Sequence, residues 1–289
     1  MIEARYYGKL SDRRLRCDLC PHGCLLKPGS AGLCRVRKNN NGILVSEVYG
    51  VLSGIQMDPI EKKPLNRFFP GSDILSIGTF GCNFRCPWCQ NASISQCGSS
   101  SYRTGKSYTP EEVLLAAGRS QSIGVAYTYN EPTVWYEFMM DAAIQVKEAG
   151  LQNVVVTNGY INPKPLAELL NVAHAFNVDL KGFSDDIYRR YAGGRLSPVL
   201  DTLRAIADKG VHLEITFLVV PGVNDNLAMF KEMITWIRDC LGSKVPLHIN
   251  RYFPSWQMDR SPTSISLLKE MRVLARACLD YVYLGNVPG

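Results

Sequence analysis

The chain has 289 residues, 46% hydrophobic and 20% charged, with 24 Gly, 16 Pro and 10 Cys, a composition too apolar for a disordered protein and unlike a collagen repeat. Lys plus Arg exceed Asp plus Glu by 32 to 26, a net charge of +6, which leaves a nucleic-acid partner open without requiring one. No apolar run approaches the roughly 18 residues of a membrane span, so a soluble protein is expected, with a core large enough for one α/β barrel or two smaller domains.

The first residues, MIEARYYGKL, lack the apolar stretch of a signal peptide, which predicts a cytoplasmic protein whose cysteines stay reduced. The densest basic stretch is Arg13, Arg14 and Arg16, followed by Arg35, Arg37 and Lys38. It brackets the first cysteine group, where cationic residues offset thiolate charge. That group is Cys17-x-x-Cys20-x-x-x-Cys24 with Cys34, and Pro21, Gly23, Gly29 and Gly32 permit tight turns between the thiols. Four thiolates make a closed site, for a structural zinc or a second [4Fe-4S] cluster. His22 is a candidate substitute for one of them. The turn Asn40-Asn41-Gly42 then leads into β-prone Ile43-Leu44-Val45 and Val48-Tyr49. Residues 1–72 are expected to form a small cysteine-rich, metal-binding module.

From residue 73 to 289 the pattern alternates. β-prone runs at 74–79, 125–129, 153–157, 178–181, 212–220, 247–253 and 281–284 are separated by helical stretches such as Leu227, Phe230, Ile234, Ile237 and Leu241, with Lys231, Glu232, Arg238 and Asp239 on the opposite side. Six strand-helix repeats predict a parallel α/β sheet, whose active site belongs at the carboxyl ends of the strands. The residues there are polar: Cys82, Cys86 and Cys89 after the first run, Tyr129-Asn130-Glu131-Pro132 after the second, Thr157-Asn158-Gly159 after the third, and Asp179-Leu180-Lys181 in the fourth. Three thiolates spaced this closely can hold one face of a cubane and leave one iron open to a ligand. The alternative, a zinc site, would need Cys97 as its fourth ligand.

Cys82-x-x-x-Cys86-x-x-Cys89 with Trp88 before the last thiol resembles the signature of radical S-adenosylmethionine enzymes. Asp58-Pro59-Ile60-Glu61-Lys62-Lys63-Pro64-Leu65, Gly81-Cys82-Asn83-Phe84 and the N-terminal cysteines resemble the AmmeMemoRadiSam-system members, relatives of pyruvate formate-lyase activating enzyme. The resemblance covers nearly the whole chain. It implies a partial (β/α)6 TIM-like barrel and an oxygen-sensitive enzyme. In such enzymes a [4Fe-4S] cluster binds S-adenosylmethionine and cleaves it reductively to a 5′-deoxyadenosyl radical. It further implies that Asn130 and Glu131 hold the methionine amino group, that Lys181 neutralises the carboxylate, that Thr157, Asn158 and Asp179 shape the rim, and that Trp88 contacts adenine. Either His248 or Phe253 would approach the ribose, although alternation sets them on opposite faces. His248, His174 and His212 otherwise read as core histidines, and Cys240 and Cys278 as small core residues. The implied partners are an electron donor such as flavodoxin or ferredoxin and a protein or peptide substrate, with RNA, a small metabolite or a non-catalytic iron-sulfur scaffold as alternatives.

Overall fold

The alternating runs pair into one sheet in the computed structural model, which describes residues 1–288. Its strands are β1 (Gly54–Pro59), β2 (Asp73–Gly78), β3 (Gly124–Tyr127), β4 (Gln152–Thr157), β5 (Ala175–Asp179), β6 (His212–Val219), β7 (Leu247–Arg251) and β8 (Val282–Gly285), lying side by side in that order. β2 to β8 are parallel. Between them run α1 (Pro110–Arg119), α2 (Tyr136–Glu148), α3 (Pro163–Leu169), α4 (Leu196–Asp208), α5 (Leu227–Leu241) and α6 (Ile265–Arg276), completing the six expected repeats. β1 and β8 lie at opposite edges, so the barrel is partial.

Two strands depart from the sequence pattern. β5 begins at Ala175, three residues before the expected run, and ends at Asp179, because Ala175 to Asp179 pair with β6 and Ala175 to Val178 with β4. Lys181 therefore lies beyond the strand. β1 carries no β-prone run, yet it pairs antiparallel with β2 from Gly54 opposite Gly78 to Pro59 opposite Asp73. It is an edge strand, with only Asp58 buried.

Alternation gives the sheet two different faces. Leu75, Ile77, Val125, Val155, Phe176, Ile215, Phe217 and Ile249 pack under the helices, with Phe230, Met233, Ile234 and Ile237 of α5 buried as its spacing predicts. On the concave face Ile74, Ala126, Val154 and Ala175 pack against Ile60 and Leu65 from the segment between β1 and β2. This segment plugs the amino end of the barrel and is tied there by polar bonds. Asn177 Nδ2 donates to the Pro64 carbonyl at 2.8 Å, and the buried Glu214 carboxylate accepts from the backbone of Asn66 at 3.1 Å and Arg67 at 2.8 Å. Residues 54–72, on the N-terminal side of the expected boundary, thus belong physically to the barrel.

Residues 1–53 form short strands. Ile43–Ser46 pairs with both Ile2–Glu3 and Arg37–Asn40, the second across a hairpin whose Asn41 and Gly42 have φ of 53° and 96°, as a type I′ turn requires. Tyr7–Lys9, Leu15–Cys17 and Leu25–Leu26 form a second sheet. The expected strand at Val48-Tyr49 falls instead at Val51–Leu52, which pairs with Lys106–Ser107. The module docks on the barrel through buried Arg37, which pairs with Glu137 of α2 at 2.9 Å. No helix among the described residues is long and apolar enough to cross a membrane.

Candidate active site

With the amino end plugged, the barrel keeps a cavity of about 340 Å³ at the carboxyl ends of its strands, within the roughly 300–1,000 Å³ range of small-molecule sites. Cys82, Cys86 and Cys89 open onto it together with Trp88, Asn130, Glu131, Thr157, Asn158, Asp179 and Lys181. The three thiols and the seven rim residues expected around them therefore line one cavity.

The cysteine loop is held from several sides. Gly81 turns it at φ +86°, where a Cβ would lie 2.6 Å from both the Cys34 carbonyl and Val36 Cγ1. Asn130 fixes the strand-to-loop exit: its Oδ1 accepts from Thr79 N at 3.0 Å, and its Nδ2 donates to the carbonyls of Gly81 at 2.8 Å and Phe80 at 3.2 Å. Its amide is thus committed to backbone. Two donors face the first thiol, Phe84 N at 3.3 Å and Asn158 Nδ2 at 3.8 Å from Cys82 Sγ. Cys89 Sγ lies 3.2 Å from Ser95 Oγ. Cys97 is turned elsewhere, donating to the Ile94 carbonyl at 3.1 Å. Burial, then the charge of Glu131, pushes the Cys82 thiol well above its ordinary value. Burial also pushes the Cys86 thiol up to about 11, with Lys181 pulling the other way. Thiols held protonated like this release protons on taking up a metal group.

Glu131 is buried and its carboxylate fully engaged. Oε1 accepts from Thr157 Oγ1 at 2.6 Å, Thr133 Oγ1 at 2.8 Å and Thr133 N at 3.1 Å, and Oε2 from Asn158 N at 2.8 Å. Burial raises its pKa despite these donors. The carboxylate locks the ends of β3 and β4 together. Asn158 carries the chain onward, donating from Nδ2 to Asn83 Oδ1 at 2.8 Å.

Across the cavity Lys181 Nζ lies 3.1 Å from Asp179 Oδ2. Burial disfavours the ammonium, but the Asp179 carboxylate outweighs it and, with the charge of Cys86 when it is a thiolate, holds the lysine above its ordinary pKa. Trp88 is buried in the wall, tilted at 44° against Tyr191.

Sequence reasoning missed several lining residues, among them Lys62, Lys63, Thr216, Asn250 and Asn286. Lys63 Nζ and Tyr129 Oη both donate to Asp58 Oδ2 at 2.8 Å. Burial opposes the Asp58 charge, yet Lys63 and Tyr129 hold its carboxyl at about 2. The quoted Asp58 to Leu65 motif thus builds a rim and a plug, and the register of strand pairs was the signal for Thr216 and Asn250, which share the concave face. His248 is the core histidine expected, 2.6 Å from Glu214 Oε2 and stacked on Tyr283. Phe253 is exposed. Cys240, expected in the core, is exposed instead: it is in phase with Met233 but lies in the last turn of α5, beyond Ile237, the last buried residue of that helix.

The N-terminal thiols gather separately. Cys17, Cys20, Cys24 and Cys34 line a narrow cavity with His22, Arg37 and Asn83. His22, the candidate substitute for one of the four thiols, lines the same cavity, with its Nε2 2.8 Å from the Asn83 carbonyl. Burial pushes the Cys34 thiol up to about 11 and raises Cys20 and Cys24 as well.

The model of the Radical SAM superfamily matches residues 76–237. An uncharacterized protein of Methanocaldococcus jannaschii is 43% identical over 100% of this chain and 86% of its own length. Pyruvate formate-lyase 1-activating enzyme of Escherichia coli K12 is 27% identical over 50% of this chain and 61% of that enzyme. Among solved structures, Streptococcus suis SuiB bound to S-adenosylmethionine shares the fold at a TM-score of 0.58, with 11% identity over 73% of this chain and 51% of that one. A family match over more than half of the chain, on the strands that carry the three-thiol loop, makes this protein a radical SAM enzyme, related to pyruvate formate-lyase activating enzyme.

Proposed function

We propose that Cys82, Cys86 and Cys89 hold the [4Fe-4S] cluster of this radical SAM enzyme, and that the adjoining cavity binds S-adenosylmethionine for hydrogen abstraction from a protein or peptide substrate. The observation that carries this reading is the cavity itself, where three thiols meet Lys181, Asp179, Thr157 and Asn158. The donors facing Cys82 Sγ fit a thiolate ligand better than a free thiol. When bound, the cluster supplies the electron that cleaves S-adenosylmethionine, and the radical so released takes a hydrogen atom from the substrate.

The chain's own residues have distinct tasks. Lys181 offers its ammonium to the methionine carboxylate, held in place by Asp179. Asn158 bridges Cys82 and Asn83 and so aligns the β4 end with the cysteine loop. Glu131, whose four acceptor contacts come from protein donors, acts as a positioning residue for Thr157 and Asn158. Asn130 does the same for the start of the cysteine loop. Trp88 gives a flat wall for adenine. The barrel walls and the plug keep water from the reacting carbon.

Kinship with an activating enzyme supports a peptide segment as the substrate and a low-potential one-electron donor of the flavodoxin or ferredoxin kind. Cys17, Cys20, Cys24 and Cys34 hold a second metal centre within the N-terminal module. Anaerobically reconstituted protein given dithionite and S-adenosylmethionine is expected to release 5′-deoxyadenosine, read by mass spectrometry, and Cys82→Ala, Cys86→Ala and Cys89→Ala each to abolish it. Deuterium from a labelled substrate peptide should appear in the product. An intact cluster that yields no 5′-deoxyadenosine, with or without candidate peptides, would overturn the reading.

A further inference from the structure

We infer that Arg37 donates an Nε–H···S hydrogen bond to a redox-active [4Fe-4S] cluster held by Cys17, Cys20, Cys24 and Cys34, an inference that rests on reading those thiols as a second metal centre. The four thiols line one cavity, and four thiolates are a complete ligand set for such a cluster. Gly32 lies in the wall beside two of the thiols, where a Cβ would sit 3.6 Å from Cys24 Sγ and 3.7 Å from Cys34 Sγ, ordinary contact distances. The site has the ligand number of a cubane.

Arg37 is the feature that points to an acceptor inside it. The side chain is 1% exposed and forms part of the cavity wall. Nη1 donates to both oxygens of Glu137 at 2.9 and 3.0 Å, and Nη2 donates to the Arg5 carbonyl. Nε alone has no partner among the described residues. A buried donor left so is costly, and a cluster sulfide in that cavity supplies the missing acceptor. Glu137 already balances the guanidinium charge, so Arg37 brings the site a directed N–H more than a net positive charge. Hydrogen bonds to cluster sulfurs raise the reduction potential. The centre also touches the catalytic loop, through His22 Nε2 on the carbonyl of Asn83, the residue after Cys82.

The test uses full-length protein carrying Cys82→Ala, Cys86→Ala and Cys89→Ala, so that only the N-terminal site binds a cluster. After anaerobic reconstitution with ferrous iron and sulfide, iron, sulfide and zinc are counted, and the reduced centre is titrated by electron paramagnetic resonance with and without Arg37→Lys. That substitution keeps a cation for Glu137 and removes the Nε–H. About four irons per chain are expected in both proteins, with reduction of the variant disfavoured about tenfold, a fall of ~59 mV for a one-electron couple. Zinc in place of iron, or no metal, overturns the second-cluster reading. Iron with an unchanged potential overturns the role of Arg37 alone. Should Arg37→Lys fail to fold, the chain with Arg37 intact and ¹⁵N-labelled arginine decides: a ¹⁵N hyperfine coupling to the reduced cluster is expected, and its absence refutes the hydrogen bond.

Discussion

Asn130 spends both ends of its amide on the backbone of residues 79–81. Asn130→Ala would strand the buried Thr79 N–H and two carbonyls, so a loss of about 1–3 kcal/mol is expected. Chemical denaturation measures it, and a variant as stable as the parent removes Asn130 from its positioning role. Lys181 is the residue proposed to meet the methionine carboxylate. A hydrogen bond to a charged group contributes about 1.5–3 kcal/mol, so Lys181→Met should weaken S-adenosylmethionine binding about tenfold or more. Titration of the reconstituted, unreduced protein reads this directly, and undiminished affinity counts against the carboxylate contact. The type of residue at these positions was legible from the motifs. Its direction was not, because Asn130 and Glu131 could as readily face a ligand as the backbone until β2, β3 and β4 were aligned.

Among the elements, the plug between β1 and β2 has the clearest pH signature. Glu214 holds the plug at Asn66 and Arg67 while accepting from His212 at 2.9 Å and His248 at 2.6 Å. Burial opposes its charge, but the two histidines and the Arg67 N–H outweigh burial and hold the carboxyl at about 2, against an ordinary 4.5. A folded-state pKa below the unfolded one means that this stabilisation is full above about pH 4.5 and disappears as pH falls towards 2. It is worth on the order of 3 kcal/mol. Glu214→Gln should therefore be less stable than the parent at pH 6, with the gap closing in acid; equal gaps at pH 6 and pH 3 refute the linkage. The Gly81 turn belongs to the same scale. Gly81→Ala meets a left-handed φ, costing about 1–2 kcal/mol, and a 2.6 Å approach to the Cys34 carbonyl. Iron content per chain is expected to fall, and full loading would show that the loop accommodates a side chain. The sequence marked Gly81 only as part of a motif; its contact with Cys34 joins residues 47 apart in the chain.

At the scale of the molecule, module and barrel are joined by buried charge. Arg37 and Glu137 are 1% and 4% exposed, and Glu137 also accepts from Arg5 N at 2.7 Å. Removing one partner of a buried pair strands the other, so Arg37→Met should destabilise by about 3–5 kcal/mol, and Arg37→Met with Glu137→Gln by distinctly less. Unfolding of the two variants by denaturant checks this; equal losses would mean that no charge is stranded. Because the pair ties the strand after Cys34 to α2, a single cooperative transition is expected for both parts in the parent protein.

Local chemistry was enough to read the three-thiol loop, the four N-terminal thiols and the six strand-helix repeats, since ligand spacing, period-2 runs and 3.6-residue stripes are carried by neighbouring residues. Tertiary structure alone decided which groups face the cavity. β1 has no strand signal of its own and forms by pairing with β2. The plug enters the barrel because Ile60 and Leu65 find an apolar floor made by four separate strands. Cys240 shares the phase of the buried stripe of α5 but lies past its last buried residue, which depends on how far along that helix the packing extends. Each of these outcomes rests on contacts between segments far apart in the chain, which fix side-chain direction and burial and which no local pattern encodes.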